Sequence, residues 1–285
     1  MKYQFIGDNG QGHEVRTLCK LLGVSSSAYY AARHRPPSAQ ARRQIELTAQ
    51  IRSIHAASRQ TYGAPRIYAE LADWKVPVCK NTVARLMRRA GIVPKTVQRF
   101  KVTTDSRGTK ASPNLLGRVF TAKRANACWL TDITFISTRV GWLYLAAVLD
   151  LYSRAIVGWA MSTRIDQALA ADALNMALHQ RGAAPEVLHS DQGSIYAAAD
   201  YRKLLEQHAI RQSMSRKGDC WDNAPMESFF HTLKTELVMH RDYHSCEEAR
   251  TDLFEYIEVF YNRQRRHSTI HFATPLAFEA ATTPI

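Results

Sequence analysis

Trp129-Leu130-Thr131-Asp132-Ile133-Thr134-Phe135-Ile136-Ser137-Thr138 is a β-branched and aromatic run with one carboxylate inside it. That composition fits the pleated surface of a sheet. Two more such runs follow, Trp142 to Asp150 and Ala155 to Ala160, and the turn residues Arg139-Val140-Gly141 separate the first two. Three strands in succession predict an antiparallel meander. Downstream the pattern alternates: a helix from Asp166 to Arg181, a short buried strand from Val187 to Ser190, and a helix from Ala199 to His208. A strand from Ile210 to Met214 and a helix from Ala224 to Val238 come next, and a helical tail from Ser245 to Tyr261 follows. The order predicts an α/β unit on a mixed sheet, which is also the order of the ribonuclease-H-like fold.

The carboxylates give this framework its chemistry. An ionised Asp132 within an apolar strand costs several kcal/mol unless it is paired or binds a cation, by rough estimate. Asp191 stands directly after the fourth strand, in His189-Ser190-Asp191-Gln192-Gly193, and strand ends of open α/β sheets face the ligand crevice. Glu227 lies in the first turn of a helix opened by Asn223-Ala224-Pro225. If the first and fourth strands are neighbours and that helix crosses their ends, the three acids converge. Clustered carboxylates repel, and all-oxygen sites suit Mg²⁺ or Mn²⁺ rather than zinc. Two such ions would serve in-line attack on a phosphodiester. Asp150 is the rival carboxylate, placed to cap the turn before Ser153-Arg154.

The formal net charge of +13 points to a polyanionic partner. Residues 1–125 hold 23 Lys+Arg against 6 Asp+Glu, a net of +17, whereas residues 126–285 hold 15 against 19, a net of −4. The front of the chain is therefore the electrostatic handle. Within it, residues 1–35 form a first unit, with Val15, Leu18, Leu21 and Leu22 on a helix, a turn at Gly23-Val24 and a second helix from Ser25. A helix-turn-helix and a plain helical hairpin both fit. Residues 36–94 form a second such unit: a helix from Ala41 to Ala56 with Ile45, Ile51 and Ile54 apolar, a helix over 66–71, a turn, and a last helix capped by Asn81. Lys80, Arg85, Arg88 and Arg89 lie off the apolar stripe of that last helix, where DNA phosphates could be met. Residues 95–125 read as a basic linker, 126–240 as the catalytic core and 241–285 as a helical tail packed on the core.

The five cysteines (Cys19, Cys79, Cys128, Cys220, Cys246) are odd in number and form no CxxC pair, so a disulfide framework and a zinc ribbon are both excluded. The most apolar stretch, Trp142 to Met161, is interrupted by Asp150 and Arg154. With no apolar leader at the N-terminus, a cytoplasmic protein is expected.

Trp129-x-x-Asp132-Ile133-Thr134, Asp150-x-x-Ser153-Arg154 and His189-Ser190-Asp191-x-Gly193 together resemble the core of DDE transposases of the retroviral-integrase superfamily. The 35 residues between Asp191 and Glu227 have the spacing of such enzymes. Asp222-Asn223-Ala224-x-x-Glu227-Ser228-Phe229-Phe230 and Tyr261-Asn262-x-x-Arg265-x-His267 are similar to the second-frame proteins of insertion sequence family three. The resemblance implies cleavage of element ends, joining of a 3′-hydroxyl to target DNA, and catalytic roles for Asp132, Asp191 and Glu227 with two Mg²⁺ ions. It also implies that Lys234, two helical turns past Glu227, grips DNA. Asn223, Arg265 and Arg266 are further candidates for DNA contact. Paired ends need two active sites, hence at least a dimer on DNA, and the resemblance further implies a bacterial, nucleoid-associated location and the first-frame protein of the element as a partner. A ribonuclease-H-type nuclease and a non-catalytic DNA-binding regulator are the competing readings.

Overall fold

The computed structural model describes residues 1–95, 112–216 and 220–282, without the side chains of 220 and 221. Much of the expected basic linker thus lies outside the described residues, as does the Trp221 side chain.

Three strands form the expected meander: β1 (Cys128–Thr138), β2 (Gly141–Asp150) and β3 (Ile156–Ser162). β1 pairs with β2 from Trp129 opposite Asp150 to Thr138 opposite Gly141. Two short strands, β4 (Val187–Ser190) and β5 (Arg211–Met214), then add in parallel, giving the order β3-β2-β1-β4-β5. The mixed sheet carries the ribonuclease-H-like core, and helical units precede it.

Each face of the sheet is covered by helices whose apolar spacing selects that face. On one side lies α7 (Gln167–Arg181), where Leu169, Ala170, Ala173, Leu174 and Ala177 pack with Val148, Val157 and Leu188. Asp166 caps it, accepting from Leu169 N–H at 3.0 Å, and Gly182 ends it with φ 57°. α8 (Ala199–Gln207) joins this layer through Tyr201 and Leu205. On the other side lies α9 (Ala224–Glu236), whose Met226, Phe229, Phe230 and Leu233 recur at i, i+3, i+4 and i+7. They pack with Leu130, Leu143, Leu145 and Leu149.

β3 approaches α7 so closely that only a glycine fits at 158. A Cβ there would lie 2.3 Å from the Ala173 carbonyl oxygen and 2.6 Å from the Ala177 backbone nitrogen. Backbone cannot swing aside as a side chain can. Gly158→Ala is expected to cost about 1–3 kcal/mol, read as a lowered urea midpoint. An unchanged midpoint would mean that β3 and α7 stand further apart.

Upstream, α1 (Lys2–Asn9), α2 (Val15–Leu21) and α3 (Ser26–His34) enclose a small core of Ile6, Leu18, Cys19 and Tyr29. The second helical unit comprises α4 (Ala39–Ala57), α5 (Ala64–Asp73) and α6 (Lys80–Arg89). Two expectations fail here. Leu47, not Ile45, completes the α4 stripe with Ile51 and Ile54, because positions 47, 51 and 54 share a face and Ile45 points away at 64% exposure. The residue capping α6 is Cys79, not Asn81, which is already helical.

The tail continues as α10 (Cys246–Phe254), a π-helical turn over Glu255–Tyr261 and α11 (Pro275–Thr282). Leu253, Tyr256, Ile257 and Phe260 share one apolar cluster with α9, the sheet and residues of α4 to α6. The tail is therefore wedged between the second helical unit and the core. A buried ion pair anchors it. Arg265 gives Glu236 two hydrogen bonds of 2.8 and 2.7 Å, and Tyr256 gives a third of 2.8 Å. Removing one partner of a buried pair strands the other, so Glu236→Ala is expected to cost about 3–5 kcal/mol. Thermal denaturation checks this, and a loss below about 1 kcal/mol would show the pair to be well solvated.

Candidate catalytic site

β1 and β4 run parallel with Leu130 opposite His189. Carried two residues further, that register would bring Asp132 and Asp191 level, and Asp191 is the largest charge acting on the Asp132 carboxyl. Neighbouring strands are about 4.8 Å apart, so the two acids are adjacent. β4 ends at Ser190, so beyond that point β1 loses its neighbour and a crevice opens at the strand ends. α9 closes the crevice from one side. Asn223, just before it, donates through Nδ2 to the Thr131 carbonyl at 3.3 Å, pinning the helix start to β1 one residue from Asp132. Pro225 in the first turn costs no hydrogen bond, and Glu227 follows on that turn.

The electrostatics register this convergence. Burial and then Asp191 push the Asp132 carboxyl up to about 8; Glu227 adds to the push, while the Ile133 N–H and the Lys234 ammonium oppose it. Asp191 is raised by burial and held back by the Gly193 N–H, which donates to Asp191 Oδ1 at 2.9 Å. A Cβ on Gly193 would meet that same oxygen at 2.9 Å, so glycine leaves room for the turn. Glu227 is raised by burial. Lys234 is lowered by burial and pulled back by Asp132, while its ammonium also sits 4.6 Å over the Phe135 ring. Among the described residues, no three Asp, Glu, His or Cys side chains are drawn together closely enough to enclose an ion as they stand. Three acids each raised by burial, with Asp132 raised further by the other two, offer only hard oxygen donors and so match a divalent cation.

Other expected residues take different places. Arg265 is 5% exposed and spent on Glu236, so it does not meet DNA. Arg266 is likewise withdrawn: it pairs with Glu70 at 2.6 Å and with Asp73, bracing the tail against α5. Both corrections have one cause, the docking of two units whose contact no local pattern encodes. Asn223 is 4% exposed and braces α9, so it too faces away from bulk DNA. Lys80, Arg85, Arg88 and Arg89 are exposed on α6, with Arg89 reaching Gln44 Oε1 at 3.3 Å. Asp150 is fully buried and accepts from the Asn126 and Tyr152 N–H groups at 2.8 Å each. It closes a turn and stays out of the crevice. His189 is also internal, hydrogen bonded to Ser213 and Ser215.

Two residues at the site have no role assigned from the sequence. Tyr196 is buried and shares a 3.2 Å hydrogen bond with Thr131 Oγ1; burial and then Asp132 raise its phenol. It belongs to the apolar cluster on the α7 side of the sheet. Asp222, in the motif before Glu227, is the buried hub of a hydrogen-bond cluster.

Comparison with known proteins identifies the family. Residues 122–220 and 227–282 match two models described as integrase core domain, and residues 41–100 match an HTH-like domain. The chain is 41% identical to the transposase InsF for insertion sequence IS3A of Escherichia coli, over 98% of both chains. It is 42% identical to an uncharacterised 31 kDa protein of insertion element IS600 of Shigella sonnei, over 92% of this chain and 97% of that one. A simian T-cell lymphotropic virus intasome aligns with a TM-score of 0.48 at 15% identity, over 81% of this chain and 74% of that chain, a likeness too weak to bear on mechanism. No helix among the described residues is long and apolar enough to cross a membrane.

Proposed function

The chain belongs to the IS3-type insertion-sequence transposases, with an HTH-like region ahead of an integrase core, and on that footing we propose that Asp132, Asp191 and Glu227 are its catalytic carboxylates. It is a DNA transposase, an enzyme that cuts element ends and joins the freed 3′-hydroxyl to DNA. The observation that carries the residue assignment is the parallel register, which sets Asp132 level with Asp191 while α9 brings Glu227 to the same crevice.

The three acids hold Mg²⁺, with Mn²⁺ substituting and two ions per site. When bound, the ions supply activation of the attacking oxygen and neutralisation of the leaving one. The chain's own residues do the rest. Lys234, on the Asp132 side of α9, places a positive charge where the reacting strand's backbone passes. The exposed face of α6, with Lys80, Arg85, Arg88 and Arg89, takes phosphates of the flanking duplex. The tail holds the α4 to α6 unit against the core, so the two contacts keep a fixed relation to each other. Two ends need two sites, which calls for at least a dimer on DNA. The first-frame protein of the element is the natural assembly partner.

The test is a duplex with a recessed 3′-hydroxyl end, incubated with supercoiled plasmid and Mg²⁺. Joined product is expected. Hydrolysis without joining would mark a nuclease, and a gel shift without either reaction a regulator.

A further inference from the structure

Asp222 stands at the edge of the crevice with its carboxylate fully engaged. Its oxygens accept from Asn114 Nδ2 and Arg118 Nε, each at 2.9 Å, and from the Arg216 backbone N–H, Nε and Nη2 at 2.9, 3.0 and 3.0 Å. The acid is 0% exposed, yet the two arginine side chains keep 44% and 58% exposure. One buried negative charge thus gathers two arginines that stay partly exposed.

Backbone contacts fix where they point. Ser215 N–H donates to the Ser190 carbonyl at 2.9 Å, closing the last β4–β5 pair, Ser190 with Met214, so Arg216 follows just past the strand end after which Asp191 stands. The next residue after Asp222 is Asn223, tied to Thr131 beside Asp132. Arg118 is held on its own side, since Leu115 N–H donates to Ser213 Oγ at 2.9 Å and Ser112 Oγ meets Gln212 Oε1 at 2.8 Å. The arginines therefore share the crevice rim.

We propose that Arg118 and Arg216, held by Asp222, form a pre-set clamp for a backbone phosphate of the DNA strand that enters the catalytic crevice. The proposal rests on the transposase reading above and adds a phosphate site to it. Planar guanidinium forks suit phosphate oxygens. Holding the forks in place beforehand reduces the entropy lost on binding. A merely structural clasp would require neither the exposure nor two cations on one acid.

Full-length wild type, Arg118→Gln, Arg216→Gln and Arg216→Lys are titrated with a labelled mixed-sequence duplex bearing a recessed 3′ end, across a salt series. Phosphate contacts are sequence-independent, so no particular repeat is needed. Each glutamine variant is expected to lower the slope of log affinity against log salt by about 1. Each should also raise the KM for end cleavage about five- to tenfold, with the loss carried by KM rather than kcat. Arg216→Lys should recover the salt slope even where its melting temperature falls. Unchanged slopes in both glutamine variants, or a loss carried by kcat alone, would reduce the cluster to a structural clasp and overturn the clamp. Absence of cleavage by wild type with any divalent cation would strike at the transposase reading instead, since the slope comparison requires no chemistry.

Discussion

Asp132→Asn and Asp191→Asn are each expected to lower end cleavage and strand joining by on the order of 10³-fold or more, because each removes an oxygen charge worth several kcal/mol to the transition state. Glu227→Gln should fall in the same class. The register dictates equal severity for the two aspartates, since neither can substitute for a neighbour standing level with it. Asparagine and glutamine keep shape, so the fold survives and gel shifts with DNA persist through the basic front half. Losses should not add: with one ligand gone, removing a second costs little more, as for residues that act as a unit. Asp150→Asn separates site from scaffold. That carboxylate receives two backbone N–H groups in a buried turn, so its replacement should lower the melting temperature without singling out chemistry. Any one of the three site variants retaining activity within about tenfold of wild type, in a cleavage assay with Mg²⁺, would remove that residue from the assignment.

The parts of this design visible in the sequence are those written in local pattern. β1 to β3 show as β-branched runs, α9 shows its four apolar positions, and Asp191 follows a strand end. Short-range chemistry decides each of these. Register is different. That Leu130 faces His189 depends on a pairing across 59 residues, and the adjacency of Asp132 and Asp191 follows from it alone. Arg265 and Arg266 look like a basic helix end in sequence. Their carboxylate partners lie on α9 and on α5, brought to them only when the tail wedges between two units. Ile45 and Leu47 are equally apolar, and only the position of α5 and α6 selects the face that is buried. α1 has a single buried residue, Ile6, and so no stripe to read. Asp222 was legible as a motif letter but not as a hub, because its donors come from segments about 100 residues upstream as well as from Arg216.

Metal-free protein should lose stability between about pH 4 and pH 8, and divalent cation should restore it most at the alkaline end. The sign follows from Asp132. Its carboxyl titrates near 3.8 when unfolded and at about 8 when folded. Across that interval the folded state holds a proton that the unfolded state has released, so stability falls as pH rises and levels off above 8. Asp191 shifts in the same direction, and the two acids titrate as a coupled pair. The combined penalty is on the order of several kcal/mol. His189 and His267 act oppositely, since burial lowers both and stability at acid pH suffers when they must charge. Asp222, held low chiefly by Arg216, releases its contribution only at far lower pH. Comparing wild type with Asp132→Asn cancels these background groups. The variant should melt higher than wild type at pH 8 without metal and converge with it near pH 4. Adding Mg²⁺ should raise the wild-type melting temperature more at pH 8 than at pH 5, where protons compete for the same oxygens. The variant should gain little at either pH. Curves for the two proteins that run parallel from pH 4 to 8.5, or a Mg²⁺ gain that is equal at all pH values, would show that Asp132 bears no electrostatic load in the folded chain. A site that gives up stability in the absence of its ion is the expected cost of keeping three acids ready for one.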